Sequence, residues 1–249
     1  MKSFLPNEMI GFRTALLMAA TLITTSTTAT TEDLLVISAR LEANEFLDNL
    51  LEIRLPKLLP DRAERLRDFS CYIEKKLFIG ILPTHRDLTA NFTEGTVSGL
   101  QKVKREGDCK PTFSDGNYVV ISCKLNIGSL KATYASSVKG FNLRGDIAHP
   151  VITADFADSS LIFEAKEIKS AGSRPHMNAL VVDSLRCAIH YESLGLNEER
   201  DQLLRDCITR GILPQILDLI NIRLYRALYD ALRQQDVSIP DVRINETTE

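Results

Sequence analysis

The sequence predicts an α+β fold in which long amphipathic helices are wrapped by a strongly curved antiparallel β-sheet. Three observations support it. Apolar residues recur at helical spacing near the start of the 249-residue chain, alternate with polar residues through its middle, and return to helical spacing towards its end. Because no helical stretch interrupts the middle, we expect its strands to form an antiparallel meander joined by tight turns. Each helix would then bury its apolar side on the apolar face of the sheet.

Composition excludes several classes of protein. Hydrophobic residues make up 44% of the chain and charged residues 25%, which is ordinary for a globular protein and unlike collagen, coiled coils or disordered chains. The 30 basic and 33 acidic residues give a formal net charge of −3. A dedicated nucleic-acid-binding protein would carry a basic excess, so we expect no nucleic-acid partner. No apolar run approaches the ~20 residues of a membrane-spanning helix, so we expect no stable membrane insertion.

Residues 1–29 are typical of a secretory signal peptide. Lys2 and Arg13 precede an apolar stretch at residues 14–23, and small residues follow it. The stretch is too short to span a bilayer, although a buried or anchoring helix is an alternative interpretation. Met9 is an alternative start, because it would give the basic region a more usual length. We therefore expect a secreted, extracellular protein.

The first helix is predicted over residues 32–55. Acidic residues at its start suit the positive end of the helix dipole, and Pro56 with Pro60 would end it. Its apolar residues are expected on one side, facing the sheet. They are Leu34, Leu35, Ile37, Leu41, Leu47, Leu50, Leu51 and Leu55. Residues 61–69 could add a short turn of helix.

The middle of the chain predicts antiparallel strands. The clearest is residues 117–127, because its alternation produces one apolar and one polar face. In another, at residues 88–100, Leu88 and Phe92 share the inner face, so Asn91 would point outward. Further strands are expected at residues 130–140, 151–156, 160–168 and 177–190.

Two helices are predicted near the C-terminus. Asn197 suits the N-cap of a short helix at residues 198–210, which Gly211 would stop. Pro214 then lies near the start of a longer helix, where proline is tolerated. The longer helix has a broad apolar face, formed by Ile216, Ile220, Leu224, Ala227, Leu228 and Ala231.

The five cysteines are Cys71, Cys109, Cys123, Cys187 and Cys207, an odd number, so at least one is free or pairs between chains. Cys109 and Cys123 flank a hairpin turn at residues 114–116. A three-residue loop would place them opposite each other, and a bulge could absorb the offset of a two-residue loop. A weaker second pair is Cys187 with Cys207, which would tie a strand to the following helix and leave Cys71 unpaired.

Two N-glycosylation sequons begin at Asn91 and Asn245, and both become meaningful in a secreted chain. Asn245 lies in a polar tail, predicted as mobile at residues 237–249, where a glycan would disturb no packing. The length of the chain fits one or two domains, and its order of helix, sheet and helix predicts a single domain at residues 30–236.

No motif for catalysis or metal binding is present. The sequence has no G-x-S-x-G, and residues 95–99 (GTVSG) miss it by one position within a predicted strand. It has no H-E-x-x-H, C-x-x-C or phosphate loop, and Cys187 with His190 lacks a second ligand pair for zinc. Asp155 and Asp158 could act as paired carboxylates, although a solvated strand edge is the simpler interpretation. We therefore expect no enzyme activity, no metal and no cofactor.

A short basic run, formed by Lys102, Lys104 and Arg105, has two interpretations. The simpler one is a charged sheet edge, because runs this short are usually solvated. The other is a site for anionic headgroups.

Residues 97–108 (VSGLQKVKREGD) resemble the V-x-G-L-x-x-x-K-R-x-G-D segment of the mite group 7 allergens. The agreement covers most of residues 32–235 and continues in order through the Asp115-Gly116 turn, the strand that follows it, Tyr134, Asp146, His149-Pro150 and a terminal helix that begins with proline. That family resembles one half of the tubular lipid-binding architecture, also seen in insect juvenile-hormone-binding and takeout proteins and in bactericidal/permeability-increasing proteins. The resemblance implies a super-roll, secretion, and binding of hydrophobic molecules without catalysis. It supports neither cysteine pairing, because the cysteines depart from the family pattern.

These observations predict a secreted, non-enzymatic binding protein for a hydrophobic or lipid-like ligand, acting as a carrier or scavenger. The ligand would lie between the strand at 117–127 and the last helix. Candidate pocket residues are chosen only from the periodic spacing of apolar residues in these elements. They are Val119, Ile121, Leu125, Ile127, Phe163, Ile216, Ile220 and Leu224. One alternative is an innate-immune binder of microbial lipid or lipopeptide that uses the basic run. Another is an allergen-like interaction protein whose core is filled. The oligomeric state stays open.

Overall fold

The first long helix begins at a capping box. In the computed structural model, which describes residues 30–59, 61–74, 87–170, 173–234 and 238–241, helix α1 spans Thr31–Asn49. The Thr30 hydroxyl accepts a hydrogen bond from the Asp33 N–H, and the Asp33 carboxylate accepts one from the Thr30 N–H. The helix continues through a π turn at Leu50–Arg54 and ends as α2, Leu55–Leu58. The predicted helix at 32–55 is therefore confirmed.

The prediction that this helix has a single buried apolar side is wrong for its first half. Leu47, Leu50, Leu51 and Leu55 are buried, but Leu34, Leu35, Ile37 and Leu41 are exposed. A helix turns by about 100° per residue, so residues 34 and 50 lie roughly 160° apart around the axis. Leu34 and Leu50 therefore lie on nearly opposite sides of the first helix. Of its eight predicted apolar side chains, those from Leu47 onward are buried and those before it are exposed.

Twelve strands lie within the described residues. They are β1 Glu64–Arg65, β2 Phe69–Ile73, β3 Leu88–Ser98, β4 Lys104–Arg105, β5 Phe113–Asp115, β6 Tyr118–Asn126, β7 Lys131–Lys139, β8 Ile147–Ala148, β9 Val151–Asp155, β10 Ser160–Ile168, β11 His176–Ser184 and β12 Ala188–His190. The strands predicted in the middle of the chain are present. The single strand expected at 177–190 is divided into β11 and β12. The short helix expected at 61–69 is wrong, because β1 and the start of β2 occupy those residues.

The strands form two antiparallel sheets rather than one meander. One has the order β1-β3-β7-β9-β12, with β2 on β3 and β8 on β7, and the other has the order β11-β10-β6-β4, with β5 on β6. Consecutive strands β6 and β7 therefore belong to different sheets. They are joined at Gly128, where a Cβ atom would lie 2.4 Å from the Ala157 carbonyl oxygen on the connection from β9 to β10. Glycine allows these two crossing connections to touch.

The C-terminal helix is continuous, which contradicts the predicted break. Helix α3 spans Glu198–Leu219, passes through a π turn at Ile220–Leu224 and ends as α4, Tyr225–Arg233. Asn197 caps it as expected, accepting a hydrogen bond from the Arg200 N–H. Gly211 lies within the helix, where close packing requires glycine: a Cβ there would lie 2.4 Å from the Phe69 ring. Pro214 is exposed, so water can reach the carbonyl whose helical hydrogen bond it removes.

A buried stripe winds around this helix. Every fourth residue faces the core with at most 1% exposure; the set is Leu204, Ile208, Ile212, Ile216, Ile220, Leu224, Leu228 and Leu232. Four residues exceed one α-helical turn by about 40°, so the stripe turns progressively around the axis. A layer that follows the stripe has to curve around the helix. The α+β class, with antiparallel sheets rolled around long helices, is confirmed. None of the described helices is long and apolar enough to cross a membrane.

Candidate functional site

All eight predicted pocket residues lie in one apolar core. Val119, Ile121 and Leu125 belong to β6, and Phe163 is paired across from Cys123 on β10. Ile127 directly follows β6. Ile216 is on α3, while Ile220 and Leu224 are the first and last residues of the π turn in the same helix. The eight belong to a single cluster of buried residues.

These eight side chains are packed closely together in the structure. Val119 is 4% exposed and the other seven residues have essentially no accessible surface. A side chain that borders a water-sized cavity keeps some accessible surface, so these seven border no such space. A ligand could enter between them only if the C-terminal helix or the side chains moved apart.

Among the cavities at the surface of the described residues are three that none of the eight residues lines. The first, of about 370 Å³, lies between α1 and residues 238–241; it is lined by Glu42, Glu45, Phe46, Asn49, Ile53, Arg54 and Pro240. The second, of about 880 Å³, lies between the end of the first helix and the segment around β4, with Leu51, Pro56, Lys102, Lys104, Arg105 and Asn126 in its lining. The third, of about 260 Å³, is lined by Phe141, Ala148, His149, Pro150, Glu192, Ser193 and Leu194.

The three cations of the basic run lie at the second cavity, where, within the described residues, Arg105 forms an ion pair and the two lysines do not. The Arg105 guanidinium donates to both carboxylate oxygens of Asp48, at 3.0 and 2.8 Å, and lies 3.7 Å from Asp108. The hydrogen bond to Asp48 raises the pKa of Arg105. Lys102 and Lys104 are exposed and form no ion pair within the described part of the chain. Arg105 therefore fastens β4 to α1, and only the two lysines are available to an anion.

The segment beyond the last helix packs on the domain where the sequence predicted a mobile tail. Ile239 is 3% exposed, and its N–H donates to the Glu167 carboxylate at 2.6 Å. Glu167 is itself buried and also accepts a hydrogen bond from the Ser173 hydroxyl, at 3.3 Å. This contact brings Pro240 to the edge of the first cavity. The polar composition of residues 237–249 predicted a mobile tail, but the buried side chain of Ile239 anchors the segment at 238–241.

The structure confirms one predicted disulfide and corrects the other. Cys109 and Cys123 are joined, with their Cα atoms 4.3 Å apart. Cys207 bonds Cys71 rather than Cys187, with a Cα separation of 6.0 Å. Cys187 is the free cysteine, and burial raises its pKa to about 11, so it remains a thiol at neutral pH.

The close approach of Phe69 to Gly211 explains the second pairing. Cys71 lies two residues beyond Phe69, on the same side of β2, and Cys207 lies one helical turn before Gly211. The two contacts therefore lie side by side between β2 and α3. The sequence provided no signal for this pairing, because 136 residues separate the two cysteines.

The remaining candidate residues are placed as follows. Asn91 is exposed on β3, as expected for a glycosylation site, while Asn245 lies outside the described residues. His190 Nε2 lies 3.4 Å from the Asp155 carboxylate. Within the described residues, no group of three or more His, Cys, Asp or Glu side chains is arranged to hold a metal ion.

Comparison with known proteins finds a similar sequence and, among the similar solved structures, two that align with low TM-scores. No protein-family model matches the chain. The salivary anticoagulant protein P23 of Ixodes scapularis is 25% identical over 185 residues, which cover 70% of this chain and 81% of that protein. The crystal structure of Takeout 1 from Epiphyas postvittana aligns with a TM-score of 0.41 and 12% identity, covering 79% of this chain and 94% of that one. That of a lipopolysaccharide binding protein aligns with a TM-score of 0.33 and 14% identity, covering 77% of this chain but only 40% of that one.

The resemblance to the mite group 7 allergens stays an expectation from the sequence, because none of these three proteins is a member of that family by name.

Proposed function

We propose that this protein is a secreted, non-enzymatic binding protein for a hydrophobic or lipid-like ligand, acting as a carrier or scavenger. The observation that carries the proposal is the winding stripe of eight aliphatic side chains on α3, the π turn and α4, which lies in the same core as the apolar face of β6 and β10. This interior is apolar along the length of the helix. Two disulfides within the described residues and the name of the salivary relative support secretion.

The ligand would occupy the space between β6 and the second half of the C-terminal helix. The Cys71–Cys207 bridge ties the first half of that helix to β2, so separation is easier beyond it, around the π turn at Ile220–Leu224. Isolated π turns occur frequently at functional sites. Each Å² of apolar surface that the ligand buries would contribute about 25 cal/mol to the binding free energy. This contribution would offset the cost of separating the helix from the strand.

Native mass spectrometry of the chain secreted from eukaryotic cells tests this proposal. We expect a discrete added mass that disappears after organic extraction and returns on incubation with fatty acids or phospholipids. Ile220→Ala, in the core, should change the uptake, whereas Ile222→Ala, in the same π turn but 63% exposed, should not. A clean mass with no uptake from the lipid panel would contradict the proposal.

A second candidate function is an extracellular interaction protein whose core is filled. Two observations favour it: the predicted pocket residues leave no accessible space, and the relative is named as a salivary anticoagulant. The expected result is a prolonged plasma clotting time with protein that carries no lipid. An unchanged clotting time at saturating protein would count against it.

A third candidate is a binder of microbial lipid or lipopeptide with an anionic headgroup. The unpaired Lys102 and Lys104 beside the second cavity favour it. Binding to anionic lipid would then weaken with salt and with Lys102→Glu or Lys104→Glu. Equal binding in low and high salt would exclude this use of the lysines.

A further inference from the structure

The third cavity lies at the surface and has an acidic side chain in its lining. On one side it is bounded by the chain around β8, with Phe141, Ala148 and His149, and on the other by the segment that leads from β12 to α3, with Glu192 and Leu194. Its seven lining residues include neither lysine nor arginine, and none of them is among the eight core residues proposed for a lipid-like ligand. The volume of about 260 Å³ suits a small molecule.

Ser136 on β7 fixes one wall of this cavity through two hydrogen bonds. Its hydroxyl donates to the Pro150 carbonyl oxygen at 2.5 Å, and its own carbonyl oxygen lies 3.2 Å from His149 Nδ1. A carbonyl oxygen can only accept a hydrogen bond, which assigns the imidazole proton to Nδ1. In the neutral ring Nε2 is then an acceptor, and it has no hydrogen-bond partner within the described residues. His149 therefore contributes a free acceptor to the site.

The opposite wall is held by Tyr191, which directly precedes Glu192. The Tyr191 hydroxyl donates to the Asp201 carboxylate at 2.7 Å, and the Arg205 guanidinium lies over the Tyr191 ring, 4.7 Å from its centroid. Glu192 itself is exposed and forms no ion pair in the part of the chain that the structure describes. Its carboxylate is therefore available to a cation.

Phe141 and Leu194 give the cavity an apolar surface. Both side chains are partly buried and pack against the main core, so their positions are fixed. They belong to opposite walls, and a ligand between them would bury apolar surface on both sides. The cavity thus combines two apolar side chains with a carboxylate and a free imidazole acceptor. An ammonium group, which has three donors and no acceptor, matches this set when it is attached to an apolar body.

We propose that the third cavity binds a small primary amine with an apolar body. The ammonium group donates to the Glu192 carboxylate and to His149 Nε2, and the Ser193 hydroxyl oxygen can accept its third hydrogen bond. The apolar body packs between Phe141 and Leu194. A neutral alcohol of the same shape lacks the charge and two of the donors, and a carboxylic acid would be repelled by Glu192. The site should therefore distinguish these three classes of molecule.

Calorimetric titration of the full secreted chain tests this proposal. The amine probes are phenethylamine, tryptamine and hexylamine, with phenethyl alcohol as the neutral analogue and hydrocinnamic acid as the anionic one. At least one amine should bind about tenfold more tightly than either analogue, because hydrogen bonds from a charged donor are stronger than neutral ones. Absence of binding by all three amines, or equal affinity for the amine and its neutral analogue, would overturn the proposal.

Variants of the two acceptors locate the site. Glu192→Gln should weaken amine binding by about tenfold, because the charged partner is lost. Glu198→Gln is the matched control, since it makes the same change in charge outside the cavity, and should leave affinity unchanged. His149→Asn keeps an N–H close to the Ser136 carbonyl but removes Nε2, and it should also weaken binding.

Lipid uptake measured on the same variants separates this site from the core. It should be equal in all three, because none of the changed residues is among the eight core residues. Unchanged amine affinity in both Glu192→Gln and His149→Asn would overturn the proposal, even if the amine bound elsewhere on the chain.

Discussion

The disulfide between Cys71 on β2 and Cys207 on α3 lies beside the contact of Phe69 with Gly211, so that one covalent and one steric contact hold the helix to the sheet. The Phe69 ring also stacks on Phe92, with ring centroids 4.6 Å apart, and meets Tyr134 edge-on at 5.1 Å. The first half of the C-terminal helix is therefore fixed covalently to one sheet, while its second half is held by apolar packing and by polar contacts such as the ion pair of Arg223 with Glu64, at 2.7 Å.

Removing the long-range bridge should destabilise the protein strongly. Cys207→Ala should lower the free energy of unfolding by about 2–5 kcal/mol, because the bridge restricts the unfolded chain over a long loop. Cys187→Ala is the matched control, since Cys187 is unpaired, and should cost less. Urea unfolding measures both. Peptide mapping without reduction that linked Cys187 to Cys207 would contradict the assignment.

Gly211→Ala should destabilise the protein although alanine favours helices by about 1 kcal/mol over glycine. The new methyl group would clash with the Phe69 ring, and overpacking of this kind costs about 1–3 kcal/mol. Phe69→Leu in the same chain should relieve the clash, so the two changes together should cost less than their sum. Additive losses in thermal or urea unfolding would show that the ring is not the obstacle.

The stability of the fold should fall as the pH rises from about 10 to about 12. Burial raises the pKa of Tyr134 to about 12, although the hydrogen bond from Gln215 opposes the shift. Between the usual value near 10 and this raised value, the unfolded chain loses the phenol proton while the folded chain retains it, so unfolding becomes more favourable. Tyr134→Phe should lack this part of the fall, whereas the exposed Tyr225→Phe should keep it. Equal slopes of stability against pH in both variants would refute the prediction.

Ile239→Ala should cost about 2–4 kcal/mol, because it removes a buried side chain from the core. The exposed Ile222→Ala should change stability by less than about 0.5 kcal/mol. Chemical unfolding of the two variants compares them directly. If Ile239→Ala were as mild as Ile222→Ala, the segment at 238–241 would not be anchored as the structure shows.

Local patterns predicted much of the fold correctly. The alternation at 117–127 identified β6 and its buried face, and the spacing of Ile216, Ile220 and Leu224 identified the core side of the last helix. The Cys109–Cys123 bridge was predictable because both cysteines flank one hairpin turn. Each of these features depends on residues that are close in sequence.

The predictions that failed concern contacts between distant segments. Gly211 and Pro214 indicated a helix break by their intrinsic preferences, but the helix continues: the glycine makes room for the Phe69 ring, and the exposed proline leaves the freed carbonyl to water. Alternation shows which residues of a strand face inward, and it contains no signal for the neighbouring strand. The assignment of β6 and β7 to different sheets was therefore not predictable from it.

The sequence alone determined where helices and strands form and which of their residues are apolar enough to be buried, because side-chain periodicity is a local property. Tertiary structure alone decided that Cys207 pairs with Cys71, that the first half of α1 leaves Leu34 and Leu41 exposed, and that the predicted pocket residues pack without free space. These outcomes depend on which surfaces meet when the sheets roll around the helix. A periodic pattern identifies an apolar surface, but the fold determines what that surface contacts.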